Sequence, residues 1–302
     1  MSPSVVRRLW LLALVGAASG GVACSSSGTG NASGDAGGVS SSSSGGSSGS
    51  SSSSGGSSSG GTTHGEVVVA QSAPTDGGAA TGTLTATFGE RDAGGPTCAV
   101  TTSGPCQIQD CTAVLADDAS TPVDVSAGNV TLSGGKLPAP VTLSFADGGY
   151  TSAFEMTQLF APGDVFQVTA TGDTVPAFSG TTPPAPGPIT LTSPSPVGTE
   201  LGSPVYPIDL TKSATFSWSG GATGAKTLVS VTNLDTNVIV VCSFDAAAGT
   251  GTIPADAVAK FPSATTTIPQ PLTFTTLVTS TVAGGDVSLV VETGAPAFFT
   301  TE

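Results

Sequence analysis

Histidine is almost missing from this 302-residue chain: His64 is the only one, and Lys and Arg together number 7 against 21 Asp and Glu. General acid–base chemistry draws most often on imidazole, so one histidine, placed at the edge of a Ser/Gly tract, leaves the serines and cysteines without a base to activate them. None of the serines sits in a Gly-x-Ser-x-Gly strand-to-helix turn either. The scarcity of basic side chains excludes nucleic acid. Arg91, Lys136, Lys212, Lys226 and Lys260 are scattered singly and form no cluster to release phosphate counterions. Long apolar runs are also absent. The longest, residues 9–18, has about ten residues, half of the roughly 20 that a membrane-spanning helix needs. Methionine (2) is rare, and no stretch shows sustained 3.6-residue apolar periodicity, which argues against a helical body.

The chain opens with a short basic start (Arg7, Arg8), that apolar run, and then Gly21-Val22-Ala23-Cys24, after which a Ser/Gly tract begins. Residues 1–24 resemble the bacterial lipoprotein signal-peptide family, whose motif is a leucine-like residue, two small residues and a lipidated cysteine. Gly21 departs from the leucine-like position. The resemblance implies cleavage before Cys24 and acylation of its thiol. The alternative is a plain cleavable secretory peptide that leaves Cys24 as a spare thiol. Arg7-Arg8-Leu9-Trp10-Leu11 also resembles a twin-arginine export signal, although Val6 replaces the usual Ser. Ser25, rather than an Asp, follows Cys24, and within the lipoprotein resemblance this implies the outer membrane, with the body at its periplasmic face or on the cell surface.

Residues 25–63 are almost entirely Ser and Gly and contain nothing that could repay the entropy of ordering, so residues 24–64 are expected to be a lipid-anchored, disordered linker. About 38 such residues have a typical end-to-end distance of roughly 34 Å. Loss of Arg7 and Arg8 leaves 5 basic against 21 acidic side chains, a net charge of −16, so the body is repelled by anionic headgroups and membrane contact is expected through covalent lipid only.

About 238 residues follow the linker, rich in Thr, Val, Gly and Pro. Period-two alternation over 82–88, 129–133, 141–145 and 164–171, separated by turns such as Asp147-Gly148-Gly149, predicts an all-β fold. The run Thr181-Thr182-Pro183-Pro184-Ala185-Pro186-Gly187-Pro188 cannot lie in a central strand, because proline has no amide donor. It therefore divides one β-sandwich at 65–180 from a second at 189–302. In the second, strands are expected at 189–192, 214–218, 228–232 and 238–244, with a hairpin pairing 274–282 with 286–292. Trp218, on an inward-facing strand position, is similar to the core tryptophan of immunoglobulin-like and fibronectin-like sandwiches, a resemblance that covers residues 186–302, and the fold expected is two immunoglobulin-like β-sandwich domains. Residues 254–261 are the one expected helix, with Pro254 in its first turn and Val258 and Phe261 facing inward.

Four cysteines remain in the body: Cys98, Cys106, Cys111 and Cys242. An exported protein meets an oxidising compartment, where disulfides persist. A two-residue turn at Gly104-Pro105 sets Cys98 opposite Cys111 and leaves Cys106 for Cys242, a covalent link between the two sandwiches. Four cysteines allow three full pairings, and a local Cys98–Cys106 bridge with two free thiols is a further option. Metal binding through cysteine lacks a nearby His and a short Cys-x-x-Cys spacing.

Asp117, Asp118, Asp147 and Asp235 (with Asn237) are the calcium candidates, because calcium takes carboxylate and carbonyl oxygens from flexible loops, yet none follows EF-hand spacing. Such residues also serve turns through their own backbone bonds. Asp117 with Asp118, or Asp164 with Glu155, are the carboxylate pairs that a glycosidase would need within about 5 to 10 Å. Sugar binding calls for exposed rings, of which Trp218, Tyr150 and Tyr206 are the candidates, while Phe298-Phe299 reads either as a last buried strand or as an exposed contact. No cofactor is expected. The reading that follows is a non-catalytic, surface-tethered envelope lipoprotein with a structural or adhesive role and an envelope glycan or protein as partner. The alternatives are a sandwich module for envelope glycans or calcium and, third, a carboxylate-dependent glycoside hydrolase.

Overall fold

The computed structural model describes residues 63–72, 80–90, 98–112, 124–146, 149–154, 158–264, 268–282 and 286–301, and in these nearly every regular element is a strand. The expected signal peptide, Cys24 and the Ser/Gly tract up to residue 62 lie outside the described residues. In the first half the strands are β1 (Thr63–Ser72), β2 (Gly82–Glu90), β3 (Ala99–Ser103), β4 (Cys106–Asp110), β5 (Val130–Gly134), β6 (Val141–Leu143), β7 (Tyr150–Phe154), β8 (Phe166–Ala170) and β9 (Phe178–Thr181). The second half adds β10 (Thr190–Ser193), β11 (Gly198–Glu200), β12 (Ser203–Ile208), β13 (Ala214–Ser219), β14 (Lys226–Asn233), β15 (Val238–Asp245), β16 (Thr250–Ile253), β17 (Gln270–Thr281) and β18 (Asp286–Thr301). The expected helix forms as a single turn, α1 (Ala255–Val258), with Pro254 at its N-cap and Val258 and Phe261 buried. The all-β reading is therefore correct, and the strands expected in both halves are present.

The sheets are organised around the hairpin of β17 and β18, the longest strands in the body. They pair antiparallel from Gln270 opposite Phe299 to Thr281 opposite Ser288. The other edge of β18 is shared by two strands lying end to end. β1 pairs with it in parallel, His64 opposite Asp286 through Ser72 opposite Gly294, and β12 then runs parallel to it from Val205 opposite Phe298 to Ile208 opposite Thr301. The result is an 11-stranded sheet ordered β3-β4-β15-β14-β17-β18-β1-β2-β7, with β12 attached to β18 and β11 to β12. Two smaller sheets, β6-β5-β8-β9 and β10-β13-β16, complete the body.

Alternation along the long hairpin explains why there are two cores. On β18, Val287, Leu289 and Val291 enter a first core with Leu84, Phe88 and Phe166. Further along the same face, Ala297 and Phe299 enter a second core with Phe216 and Trp218. On β17 the order is reversed, as antiparallel pairing requires, with Leu272 and Phe274 in the second core and Val278, followed by Val282 just past the strand, in the first. Because side chains two residues apart share a face, one face of one sheet backs both cores, and each small sheet covers one of them. In the second core Phe216 and Phe274 meet at 5.2 Å in an edge-on arrangement, and Tyr206 lies 6.4 Å from each. Such aromatic pairs add roughly 0.5–1.5 kcal/mol each beyond the area they bury.

Residues 181–188 carry the chain from one core to the other. Thr182 is buried and accepts a hydrogen bond from the Phe166 amide (3.0 Å), Ala185 is buried in the first core, and Ile189 is buried in the second. Strands from both sides of this segment nevertheless pair in the large sheet, since β4 joins β15 and β1 joins β18.

Candidate functional site

The four body cysteines come together in the β3–β4 hairpin and its neighbour. Gly104 adopts φ +54° in the turn, Ser103 pairs with Cys106 next to it, and Ala99 pairs with Asp110 at the open end. One residue further out, Cys98 is bonded to Cys111, with Cα atoms 4.3 Å apart. Cys106 is bonded to Cys242, the residue directly opposite it on β15, and both are fully buried. Of the three full pairings open to four cysteines, this is the one expected from the turn at Gly104-Pro105, and the local Cys98–Cys106 bridge with two free thiols does not form. The Cys106–Cys242 bridge does not link two sandwiches, however. β4 extends the sheet beside β15, so the bond joins adjacent strands within the second core.

The other described candidates lie in turns and cores. Asp235 sits in the turn between β14 and β15, where the Asn233 Oδ1 accepts the Asp235 and Thr236 amides at 3.2 and 3.3 Å, and Asn237 takes φ +50°. The Asp164 carboxylate accepts the Ala161 amide at 2.8 Å. Asp117, Asp118, Asp147 and Glu155 lie outside the described residues. Among the described residues no group of three or more His, Cys, Asp or Glu side chains could hold a metal ion.

The rings considered for sugar stacking are buried. Trp218 is 4% exposed and donates its indole N–H to the Ala246 carbonyl at 2.8 Å. Tyr206 is buried in the second core. Tyr150 is buried in the first, its hydroxyl accepting the Ala127 amide at 2.8 Å and donating to the Gly128 carbonyl at 2.6 Å. The exposed Trp218–Tyr206 platform that would have marked a glycan module does not form. Phe298 and Phe299 are both buried in β18, which resolves them as a last strand.

His64 is not part of a solvated linker end but the second residue of β1, half-buried and on the same strand face as Glu66. Glu66 and Glu292 are the titratable groups that sequence reasoning missed. Both point away from the first core, since Val67, Val69 and Val291 beside them point into it. Glu292 is 4% exposed, and burial raises its pKa to about 7, with the charge of Glu66 adding to the effect. Burial alone raises Glu66 to about 7. They do not oppose one another. Glu66 is level with Ser288, so Glu292 lies four residues further along the neighbouring strand, about 13 Å at ~3.3 Å per residue. A detectable signal was present: each is a lone acid in a β-branched run, Glu66-Val67-Val68-Val69 and Val290-Val291-Glu292.

No family model matches the chain, and no curated protein matches it. Among solved structures, a chain from a 1.5-MDa bacterial ice-binding adhesin, described in terms of host cell surface retention, is 14% identical, with a TM-score of 0.21 over 80% of this chain and 66% of that one. A Ca2+-stabilized adhesin that helps an Antarctic bacterium reach out and bind ice is also 14% identical, with a TM-score of 0.21 over 79% of this chain and 50% of that one. The chain thus spans about two thirds of the first and half of the second. Likeness at this level carries no argument about role, and the fold assignment rests on the strands and cores described above.

Proposed function

We propose that this chain is an exported, lipid-anchored envelope protein without catalytic activity, in which Cys24 carries the lipid, residues 25–63 act as a tether and the double-core body has a structural or adhesive role. The observation that carries the reading is the pair of disulfides, one of which closes 136 residues of chain inside a core. Bonds of this kind persist in oxidising compartments and are rare in a reducing cytosol, so the body is built for the destination that the leader specifies. The remaining candidates support a structural role, because Asp164, Trp218, Tyr150 and Tyr206 are each committed to holding turns or cores. Ser25 after the lipidated cysteine favours the outer membrane.

The test is the intact mass of the protein purified from membranes, before and after reduction and thiol alkylation. A diacyl or triacyl increment on a chain beginning at Cys24, with the four body cysteines alkylated only after reduction, is the expected result. An unacylated mass with freely reactive thiols would sink the proposal.

A further inference from the structure

The outermost strand of the large sheet, β3, is open to solvent. Ala99, Val100, Thr101 and Thr102 are all exposed, Val100 at 53%. Unpaired edges template pairing with another chain, and proteins usually block them with proline, charge, brevity or a covering element. Other edges among the described strands are flanked by proline, short or turned back on themselves. β6 follows Pro138 and Pro140, β9 leads into Pro183 and Pro184, β10 ends before Pro194 and β16 before Pro254. β11 has three residues, one of them Glu200. β7 turns back to β6 through the Ala146–Gly149 bridge. β3 is flanked as well, by Pro96 and Pro105, but none of its own five residues is a proline or carries charge, so each of its outward amides is available.

The direction of its free backbone groups follows from the neighbouring strands. The Pro105 carbonyl accepts the Ser243 amide and the Cys111 amide donates to Asn237, both at 3.0 Å, so odd-numbered residues of β4 face β15 and even-numbered ones face β3. With Ser103 opposite Cys106 and Thr101 opposite Ile108, the backbone groups of 99, 101 and 103 are turned toward β4 and those of Val100 and Thr102 outward. Those two residues are symmetric about Thr101. A second copy of β3, related by a two-fold axis through Thr101, sets Val100 against Thr102 in both directions and satisfies all four outward groups. Thr101 then meets its own equivalent, Thr pairing with Thr, and no pair contains a charge. The strand is also held ready: the Cys98–Cys111 bond fixes one end, and the Ser103 hydroxyl donates to Asp256 at 2.7 Å at the other.

We propose that β3 is a self-pairing edge, through which two copies of this protein join antiparallel about Thr101 into one continuous sheet. The contact is small, so the dimer is weak and concentration-dependent. Both bodies are acidic while the strand itself is uncharged, so salt strengthens the dimer by screening the bodies from each other. The inference does not depend on lipidation.

The test uses the whole chain from residue 24 with Cys24→Ser, which leaves an added cysteine as its only unpaired thiol. In a non-hydrogen-bonded antiparallel pair the Cα atoms approach to about 4.5 Å, close enough for a disulfide, whereas two residues 100 are offset diagonally at roughly 8 Å and are not. Thr101→Cys should therefore form a reducible dimer under mild oxidation at least ten times faster than Val100→Cys. Both sites are exposed and should leave the native disulfides intact by mass. Val100→Pro removes one outward amide without touching the bonds to β4 and should weaken the dimer at least tenfold by sedimentation. Equal cross-linking at the two sites, an unaffected Val100→Pro dimer, or a monomer at all accessible concentrations would overturn it.

Discussion

Cys106 and Cys242 occupy directly opposed positions on neighbouring antiparallel strands, so that a bond across 136 residues of sequence is local in space. It fastens the β3–β4 hairpin to a core whose other strands come from the second half of the chain.

The two disulfides should therefore contribute unequally. A loop of 136 residues restricts the unfolded chain more than a loop of 13, by about 5 against about 3 kcal/mol in the chain-entropy description. The Cys106→Ser/Cys242→Ser protein should lose more stability than Cys98→Ser/Cys111→Ser, measured as urea midpoints. The reverse order would mean that native-state strain or residual unfolded structure dominates.

Glu66 and Glu292 make the body less stable as pH rises. Burial raises both above their ordinary 4.5 to about 7, so the folded state binds protons more tightly than the unfolded chain. Their penalty is absent below pH 4.5, grows up to about pH 7 and is then constant. Replacing Glu292 with Gln should raise the melting temperature at pH 8 by several degrees, consistent with a few kcal/mol, and should have little effect at pH 4. The partly exposed Asp209 acts in the opposite sense at acidic pH. Hydrogen bonds from Lys212 (2.7 Å) and Thr211 hold its pKa low, so what it contributes is lost as pH falls through that lowered value.

Gly221 cannot be replaced without strain. It takes φ +87°, and a Cβ there would lie 2.5 Å from the Ala246 carbonyl oxygen, the same oxygen that accepts the Trp218 indole. Gly221→Ala should destabilise the body by about 2 kcal/mol or more, since both the left-handed backbone and the contact oppose it. Gly224 also has a positive φ but faces open space, so Gly224→Ala should cost less.

Trp218 is the one tryptophan of the chain from residue 24 onward, Trp10 lying upstream, so the fluorescence of a protein beginning at residue 24 reports a single buried site. Its emission should be blue-shifted and move red in one step on unfolding. Trp218→Phe should cost about 1–3 kcal/mol through the lost bond to the Ala246 carbonyl. A native emission typical of exposed indole would contradict its placement in the second core.

Much of the fold was legible locally. Strand positions followed from alternation, the helical turn from Pro254 and the spacing of Val258 and Phe261, and the bridge between Cys98 and Cys111 from the two-residue turn at Gly104-Pro105. The candidate site was less legible. Trp218 was readable as a core residue, but Tyr206 and Phe298 were ambiguous, because a ring on a strand gives no sign of whether anything covers it. Glu66 and Glu292 went unnoticed because a carboxylate in a β-branched run reads as the solvated face of an ordinary strand.

By itself the sequence determined the extended backbone, the turns and which side chains share a strand face, since these depend on residues one to four positions apart. Only the tertiary structure decided that β17 and β18 would serve two cores, that β1 and β12 would share an edge of β18, and that the expected Cys106–Cys242 bond would join adjacent strands of one core instead of two sandwiches. Pairing between distant strands is fixed by the mutual burial of whole faces, a property of two segments together that neither carries alone.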